Sequence, residues 1–142
     1  MAQYLKYDKT FVPCPEAEGD ELYRNGIFIF NITKLTQHLE SDESNVELTE
    51  IEVAHYAKGF SSIDKTHVQT TDTTKPVIIA EIAPNRYNLI DGNHRAEKAK
   101  AAGIATLPCY KVTVTEHLPF LTSTKAYTAY VEYWNDKVSQ YG

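Results

Sequence analysis

The sequence predicts a single compact α+β domain, because segments typical of strands and of helices follow one another along a chain of ordinary domain length. Short β-branched or aromatic runs, Ile27–Phe30, Val77–Ile79 and Tyr87–Ile90, are typical of strands. The alanine-rich segment Ala96–Ala102 and the tail from Ser123 onward are typical of helices. We therefore expect a small mixed sheet flanked by helices, with an added C-terminal amphipathic helix.

Composition places the chain among ordinary globular proteins and excludes several classes. The 142 residues carry a net charge of −5, with 42% hydrophobic and 23% charged residues. This acidic balance argues against a general binder of nucleic-acid backbones, which needs clustered positive charge. No apolar run approaches the length of a membrane helix, and the first residues do not resemble a signal peptide, so we expect a cytoplasmic protein without a membrane partner.

Three segments are expected in the chain. Residues 1–25 are predicted to form an irregular arm, since Pro13 and Pro15 interrupt regular structure and an acidic stretch follows them. Residues 26–122 are predicted to form the domain itself. Residues 123–142 are predicted to form a helix that packs on that domain.

The first half of the domain contains one strand and two helical segments. The Asn25–Gly26 turn precedes the strand Ile27–Phe30, and Leu35 with Leu39 indicates a brief helical turn. Thr49, with Glu52 three residues later, has the spacing of a capping box, so a helix is predicted from Thr49 to Gly59.

The second half has the pattern of a hairpin, a helix and a strand. Pro84–Arg86 is a turn signal between the runs Val77–Ile79 and Tyr87–Ile90. Gly103 is expected to end the helix Ala96–Ala102, and Tyr110–Val114 alternates as a strand does.

The tail from Ser123 has the periodicity of an amphipathic helix. Its apolar residues recur at intervals of three or four, as on one helix face. They are Tyr127, Tyr130, Val131, Trp134 and Val138. We expect this face to be buried, so that the helix is docked.

The segment Leu89–Ala96 carries the most informative chemistry in the sequence. A strand ends, Gly92 permits a tight turn, and a helix begins within a few residues. The free N–H groups and the positive dipole end of such a helix form an anion site. Arg95 adds a planar, charged guanidinium for phosphate or carboxylate oxygens. His94 adds a hydrogen-bond donor of a residue type whose charge can change near neutral pH. Asp91 adds a carboxylate that can bind a metal or accept a proton. The alternative is an ordinary turn whose charged side chains are simply solvated.

This loop and the segments around it resemble the superfamily of ParB N-terminal domains and sulfiredoxins. The resemblance spans Leu35–Val112, a little over half of the chain. Its parts are a helix ending in glycine, a strand after proline, a strand entering an Asp-Gly-x-x-Arg loop, an alanine-rich helix, a glycine and a Leu-Pro strand. In this chain they are Thr49–Gly59, Pro76–Ile79, Tyr87–Arg95, Ala96–Ala102, Gly103 and Leu107–Pro108.

The resemblance implies a nucleotide site. Members of the superfamily hold the phosphates of ATP, ADP or CTP in this loop, usually with Mg²⁺. Carried over by position, Gly92, Asn93, His94 and Arg95 would contact phosphate. The loop is closest to the Asp-Gly-His-His-Arg loop of the free serine kinases, from which it differs only at Asn93. By that likeness Asp91 is the acidic group near the metal and the reacting hydroxyl, and Asp91 and His94 are the catalytic candidates.

The sequence differs from two branches of the superfamily, and each difference excludes one of the expected activities. Sulfiredoxins place their reactive cysteine where this chain has Asn93, and an amide cannot act as a thiolate nucleophile, so sulfiredoxin activity is not expected. Cys109 is interpreted as a small buried residue in a strand. ParB proteins continue into a helix-turn-helix domain, whereas only residues 113–142 follow here, so sequence-specific DNA binding is not expected.

Other groups predict no defined site. The remaining histidines show no i, i+4 pair, so a zinc site is not expected. They are His38, His55, His67 and His117. The serine kinases use an early glutamate as base, but none of Glu40, Glu43, Glu50 and Glu52 can be matched to it.

The sequence thus predicts a nucleotide-binding domain, with a phosphotransferase or nucleotide hydrolase acting on a small molecule as its activity. The alternative is a non-catalytic regulatory or protein-interaction module, for which the aromatic C-terminal helix and the arm would serve a protein partner or a homodimer. A nuclease is disfavoured because no cluster of carboxylates suggests two metals. Arg95→Ala is expected to remove nucleotide binding while leaving the fold intact.

Overall fold

The computed structural model describes residues 3–25, 28–56 and 75–141, and within them the chain is an α+β protein, as predicted. Gly26, Gly59 and His67 lie outside these ranges. The strands are β1 (Leu22–Asn25), β2 (Phe28–Asn31), β3 (Leu48–Glu52), β4 (Val77–Ala83), β5 (Arg86–Asp91) and β6 (Thr106–Val112). The helices are α1 (Ile32–Leu39), α2 (Val53–Tyr56), α3 (Asn93–Ala101), α4 (Val114–His117) and α5 (Thr124–Tyr141), with a 3₁₀ turn at Leu118–Phe120.

Within the described residues, the strands form two sheets. β1 and β2 make an antiparallel ribbon, and the other four strands follow the order β3-β6-β4-β5. β4 lies between two neighbours and is buried from Val77 to Ala80, as expected of an interior strand. The expected single sheet is therefore accompanied by a separate two-stranded one.

By its internal contacts the chain groups into two compact units. The first comprises Met1–Asn45, Glu81–Tyr87 and Val112–Gly142, and the second Val46–Ala80 and Asn88–Lys111. None of the helices in the described ranges combines the length and the apolar character needed to cross a lipid bilayer.

In the first unit, the C-terminal helix α5 buries the face that its sequence predicts. The five periodic residues named above are each at most 5% exposed. α1 begins after Asn31, whose side chain accepts a hydrogen bond from the Lys34 amide at 3.0 Å and so caps the helix. The part of the predicted arm from Leu22 to Asn25 forms β1.

The hairpin of β4 and β5 is present as predicted. Two residues, Pro84 and Asn85, connect strands that are hydrogen-bonded neighbours, and so short a connection requires an antiparallel pair. Asn85 has φ of 59°, a left-handed value of the kind found at the third position of a type II turn, where asparagine is tolerated and proline often precedes it.

The predicted helix from Thr49 is wrong. Leu48–Glu52 is strand β3, paired antiparallel with β6 so that Ile51 lies opposite Leu107, and a helix of four residues begins only at Val53. The backbone N–H and C=O groups of β3 form hydrogen bonds with β6. This tertiary pairing overrides the local capping signal of Thr49 and Glu52. Val114, predicted to end a strand, begins α4 instead.

Candidate functional site

The turn between β5 and α3 is built around Gly92. Its backbone adopts φ 107° and ψ 22°, a left-handed conformation that side chains disfavour. A Cβ added there would lie 2.8 Å from Cβ of Val77 and closer still to one of its methyl carbons. Both the conformation and the close approach to β4 therefore require glycine at this position.

Helix α3 begins immediately after this turn, with Gly92 as its N-cap residue. The first helical hydrogen bond runs from the Ala96 amide to the Gly92 carbonyl at 2.9 Å, and no side chain at the N-cap accepts from the helix. Ala96 and Ala99 are fully buried, so α3 packs against the rest of the protein through these small side chains. The amides of its first turn carry the positive end of the helix dipole.

The Arg95 guanidinium makes hydrogen bonds to two backbone carbonyls and one carboxylate of this chain. Its Nη1 donates to the carbonyl oxygens of Lys75, at 3.2 Å, and of Pro76. Its Nη2 donates to Oδ2 of Asp91 at 2.9 Å. Of the guanidinium N–H groups, Nε–H and the second N–H of Nη2 make no hydrogen bond within residues 3–25, 28–56 and 75–141. The guanidinium thus joins the start of β4, the end of β5 and the first turn of α3.

Asp91 uses one carboxylate oxygen for this pair. Oδ2 accepts from Arg95, whereas Oδ1 accepts no hydrogen bond from the described part of the chain. The side chains of Arg95 and Asp91 are 12% and 18% exposed, so the pair is largely shielded from water. A shielded, geometrically aligned pair holds its two members more firmly than a surface pair does.

The two remaining predicted ligands lie in the first turn of α3. Asn93 is exposed, and His94 is half-buried and has an interaction partner. The structure therefore brings Asp91 and Arg95 into direct contact and places Asn93 and His94 beside them in the chain. Glu50 and Glu52, considered above as bases, lie exposed on β3.

No preformed metal cage exists among the residues that the structure describes, where no three or more His, Cys, Asp or Glu side chains converge. The donor set at the turn does fit Mg²⁺ held by a nucleotide. Such an ion takes one or two protein carboxylates and completes its shell with phosphate oxygens and water. Oδ1 of Asp91 is an oxygen of this kind.

A buried polar cluster in the first unit was not found from the sequence. The Glu81 carbonyl accepts hydrogen bonds from His117 Nε2 at 2.6 Å and from the Tyr130 hydroxyl at 2.7 Å. The Glu81 side chain accepts from the amides of Val114 and Asn85 at 3.1 and 3.0 Å. The partners lie up to 49 residues from Glu81 in the chain, so no local sequence pattern predicts these hydrogen bonds.

Burial controls the protonation of this cluster. His117 is fully buried and packs edge-on against Phe30 with ring centroids 5.0 Å apart. Burial lowers the pKa of His117 to about 4, although the bond to the Glu81 carbonyl opposes that shift. Because Nε2 donates to Glu81, Nδ1 is the unprotonated nitrogen, and it has no partner among the described residues. Burial likewise raises the pKa of the Tyr130 hydroxyl, with the charges of Glu81 and Tyr133 adding to the effect.

Neither cysteine is placed as a nucleophile. Cys109 on β6 is fully buried, and this burial raises the pKa of its thiol to about 11. Cys14 is also buried, which raises its thiol pKa. Thiols with raised pKa values remain protonated at neutral pH and react slowly.

Comparison of the chain with known protein families, curated proteins and solved structures found no match. The resemblance described above therefore rests on the loop residues and their spacing.

Proposed function

We propose that the turn between β5 and α3 binds the phosphate groups of a nucleotide. The observation that carries the proposal is the left-handed Gly92, followed directly by a nine-residue helix whose N-cap residue makes no side-chain hydrogen bond. Amides at such a helix start point outward and attract anions, since they lack helical partners and carry the positive dipole end.

Arg95 supports this turn in two ways. Its bonds to the Lys75 and Pro76 carbonyls and to Asp91 hold the backbone of the turn in place. Its Nε–H and its second Nη2 N–H are the donors that would reach a phosphate oxygen. The main phosphate contacts are therefore the backbone amides of residues 92–95, with Arg95 chiefly a positioning residue.

Asp91 would hold Mg²⁺ through Oδ1, with nucleotide phosphates and water as the other ligands. The ion would neutralise the charge on the phosphates, and the chain's own residues would orient the acceptor group. His94, in the first turn of α3, would donate to a phosphate oxygen. Phosphoryl transfer depends mainly on such positioning and charge stabilisation, which suits a small-molecule kinase or a nucleotide hydrolase.

A non-catalytic nucleotide-binding module is the second candidate. The observation that favours it is the commitment of Asp91 to Arg95, which leaves only Oδ1 of this carboxylate for a metal or a substrate. Incubation with ATP, ADP or CTP, Mg²⁺ and free amino acids separates the two candidates. Released phosphate or a phosphorylated amino acid supports the enzyme, and tight binding without product supports the module.

Calorimetric titration of the 142-residue chain with ATP, ADP and CTP in Mg²⁺ tests binding itself. Asn93→Asp is the informative variant, because a carboxylate at the first position of α3 opposes phosphate but complements the helix dipole. We expect about tenfold weaker binding together with a stability gain of about 0.5 kcal/mol. Arg95→Ala is less informative, since Arg95 also holds the turn.

Gln37→Glu is the matched control. It makes the same change in net charge at an exposed position of α1, and should leave affinity unchanged. Wild-type-like binding by Asn93→Asp, or no binding of any of the three nucleotides by the unmodified chain, would remove the proposal.

A further inference from the structure

The arm formed by residues 3–12 lies along α5 and is recognised mainly through its backbone. The Asn135 side chain accepts from the Leu5 amide at 2.7 Å and donates to the Leu5 carbonyl at 3.0 Å. Trp134 Nε1 donates to the Gln3 carbonyl at 2.8 Å, and the Tyr127 hydroxyl accepts from the Asp8 amide at 2.9 Å. Paired donor and acceptor contacts to one residue are how an extended strand is normally held by a neighbour.

Aromatic contacts complete this arm-binding face of α5, which consists of Tyr127, Trp134, Asn135 and Ser139. The ring of Phe11 stacks on Tyr127 with centroids 4.1 Å apart and an interplanar angle of 5°. The Tyr4 hydroxyl lies 3.0 Å from Oγ of Ser139. The face therefore accepts an extended segment over its full length.

A tight turn connects the docked part of the arm to the rest of the chain. The Phe11 amide donates to the Asp8 carbonyl at 3.2 Å, and Oδ1 of Asp8 accepts from both the amide and the hydroxyl of Thr10. The chain is then anchored at buried Cys14, whose amide donates to the Leu121 carbonyl at 2.8 Å. With this turn open, the arm can leave its own α5 while the anchor at Cys14 stays in place.

Three large side chains of the arm remain exposed to solvent over about half or more of their surface. Tyr4 is 61% exposed, Tyr7 48% and Val12 75%. On a short segment this is a concentration of apolar surface that a protein contact would cover.

We propose that the arm of one copy of this chain binds the arm-binding face of a second copy, giving a reciprocal arm-exchanged dimer. Every contact that holds the arm in its own copy is available in the partner, so exchange loses only the turn at residues 8–11. It gains burial of the exposed aromatic residues between the two copies. An arm on a short tether has an effective concentration of the order of 1 mM, so exchange by the unmodified chain becomes visible near that concentration.

Removal of Lys9 and Thr10 tests this proposal. A four-residue turn cannot close without its central residues, so the arm can no longer fold back on its own α5. Light scattering coupled to size exclusion should then show a dimer. Asn135→Ala in the shortened chain should return it to a monomer, whereas Asp136→Ala, at the exposed neighbouring position, should not.

A second measurement uses the unmodified chain, in case the shortened one does not fold. A labelled peptide of residues 3–11 should bind in exchange for the built-in arm, and Asn135→Ala should weaken this capture at least tenfold relative to Asp136→Ala. A shortened chain that stays monomeric, a dimer insensitive to Asn135→Ala, or failure of the peptide to bind the unmodified chain would overturn the proposal.

Discussion

Nη2 of Arg95 lies 2.9 Å from Oδ2 of Asp91, across the single glycine turn that separates strand β5 from helix α3. Two of the residues that the sequence singles out as ligands are thus each other's partners. Their pairing fixes the turn from which the proposed phosphate contacts arise. If the turn binds phosphate as proposed, Arg95 links that binding to folding.

Arg95→Ala is expected to lower the free energy of unfolding by about 2 kcal/mol, because it leaves the Asp91 carboxylate and two backbone carbonyls without their donor. Urea denaturation measures this loss. The expectation that Arg95→Ala leaves the fold intact is accordingly replaced by one of measurable destabilisation. Lys100→Ala, an exposed change on the same helix, is the control, and equal stability of both variants would contradict a clamping role for Arg95.

Gly92→Ala is expected to cost about 3 kcal/mol, since alanine is strained at φ 107° and its Cβ collides with Val77. Gly103→Ala separates the two causes. Gly103 has φ 74° but nothing within 4 Å of an added Cβ, so only the backbone cost of about 1 kcal/mol applies. Thermal or urea unfolding of both variants checks the difference, and similar losses would show that the contact with Val77 does not constrain the turn.

His117 is expected to make folding sensitive to acid. Its pKa is about 4 in the folded chain against an ordinary 6.5, so the unfolded chain binds more protons between these values and stability rises with pH there. The stability that depends on an unprotonated His117 is fully present above pH 6.5 and is lost as the pH falls toward 4. It amounts to about 3 kcal/mol.

Urea unfolding between pH 4 and pH 7 measures this dependence. His117→Phe should flatten the curve in that window, while the Glu81 carbonyl keeps the Tyr130 hydroxyl as a donor. His55→Gln, at an exposed histidine, should leave the curve unchanged. An unaltered slope in His117→Phe would show that the burial of this imidazole does not govern acid stability.

The thiols of Cys14 and Cys109 are expected to be inert in the folded chain. Both are buried, and the pKa of the Cys109 thiol is raised to about 11, so little thiolate forms at pH 8. A colorimetric thiol reagent should label neither residue until urea is added. Rapid modification of Cys109 in the native chain would contradict its position inside the sheet.

The elements predicted correctly are those in which local pattern and tertiary environment agree. The face of α5 containing Tyr130 and Trp134 repeats with helical spacing and is buried along its length, so periodicity alone identifies it. The β4–β5 hairpin has its turn signal at Pro84 and Asn85. By contrast, Thr49 and Glu52 carry a local helix signal, but pairing with the distant β6 makes this segment a strand.

The candidate site is predictable only in part for the same reason. The need for glycine at position 92 is visible in the sequence, because a strand and a helix meet there. The carbonyl partners of Arg95 lie 19 and 20 residues earlier, so its engagement with the chain is visible only in the fold. The bonds of His117 and Tyr130 to Glu81 are equally non-local.

Titration of ¹⁵N-labelled chain with magnesium nucleotide, followed by amide resonances, tests the central claim most directly. We expect the amide signals of residues 92–95 to shift most and in a saturable manner, with inorganic phosphate shifting the same signals more weakly. Saturable shifts confined to other residues, or none at nucleotide concentrations of about 1 mM, the weak end of specific binding, would contradict the account.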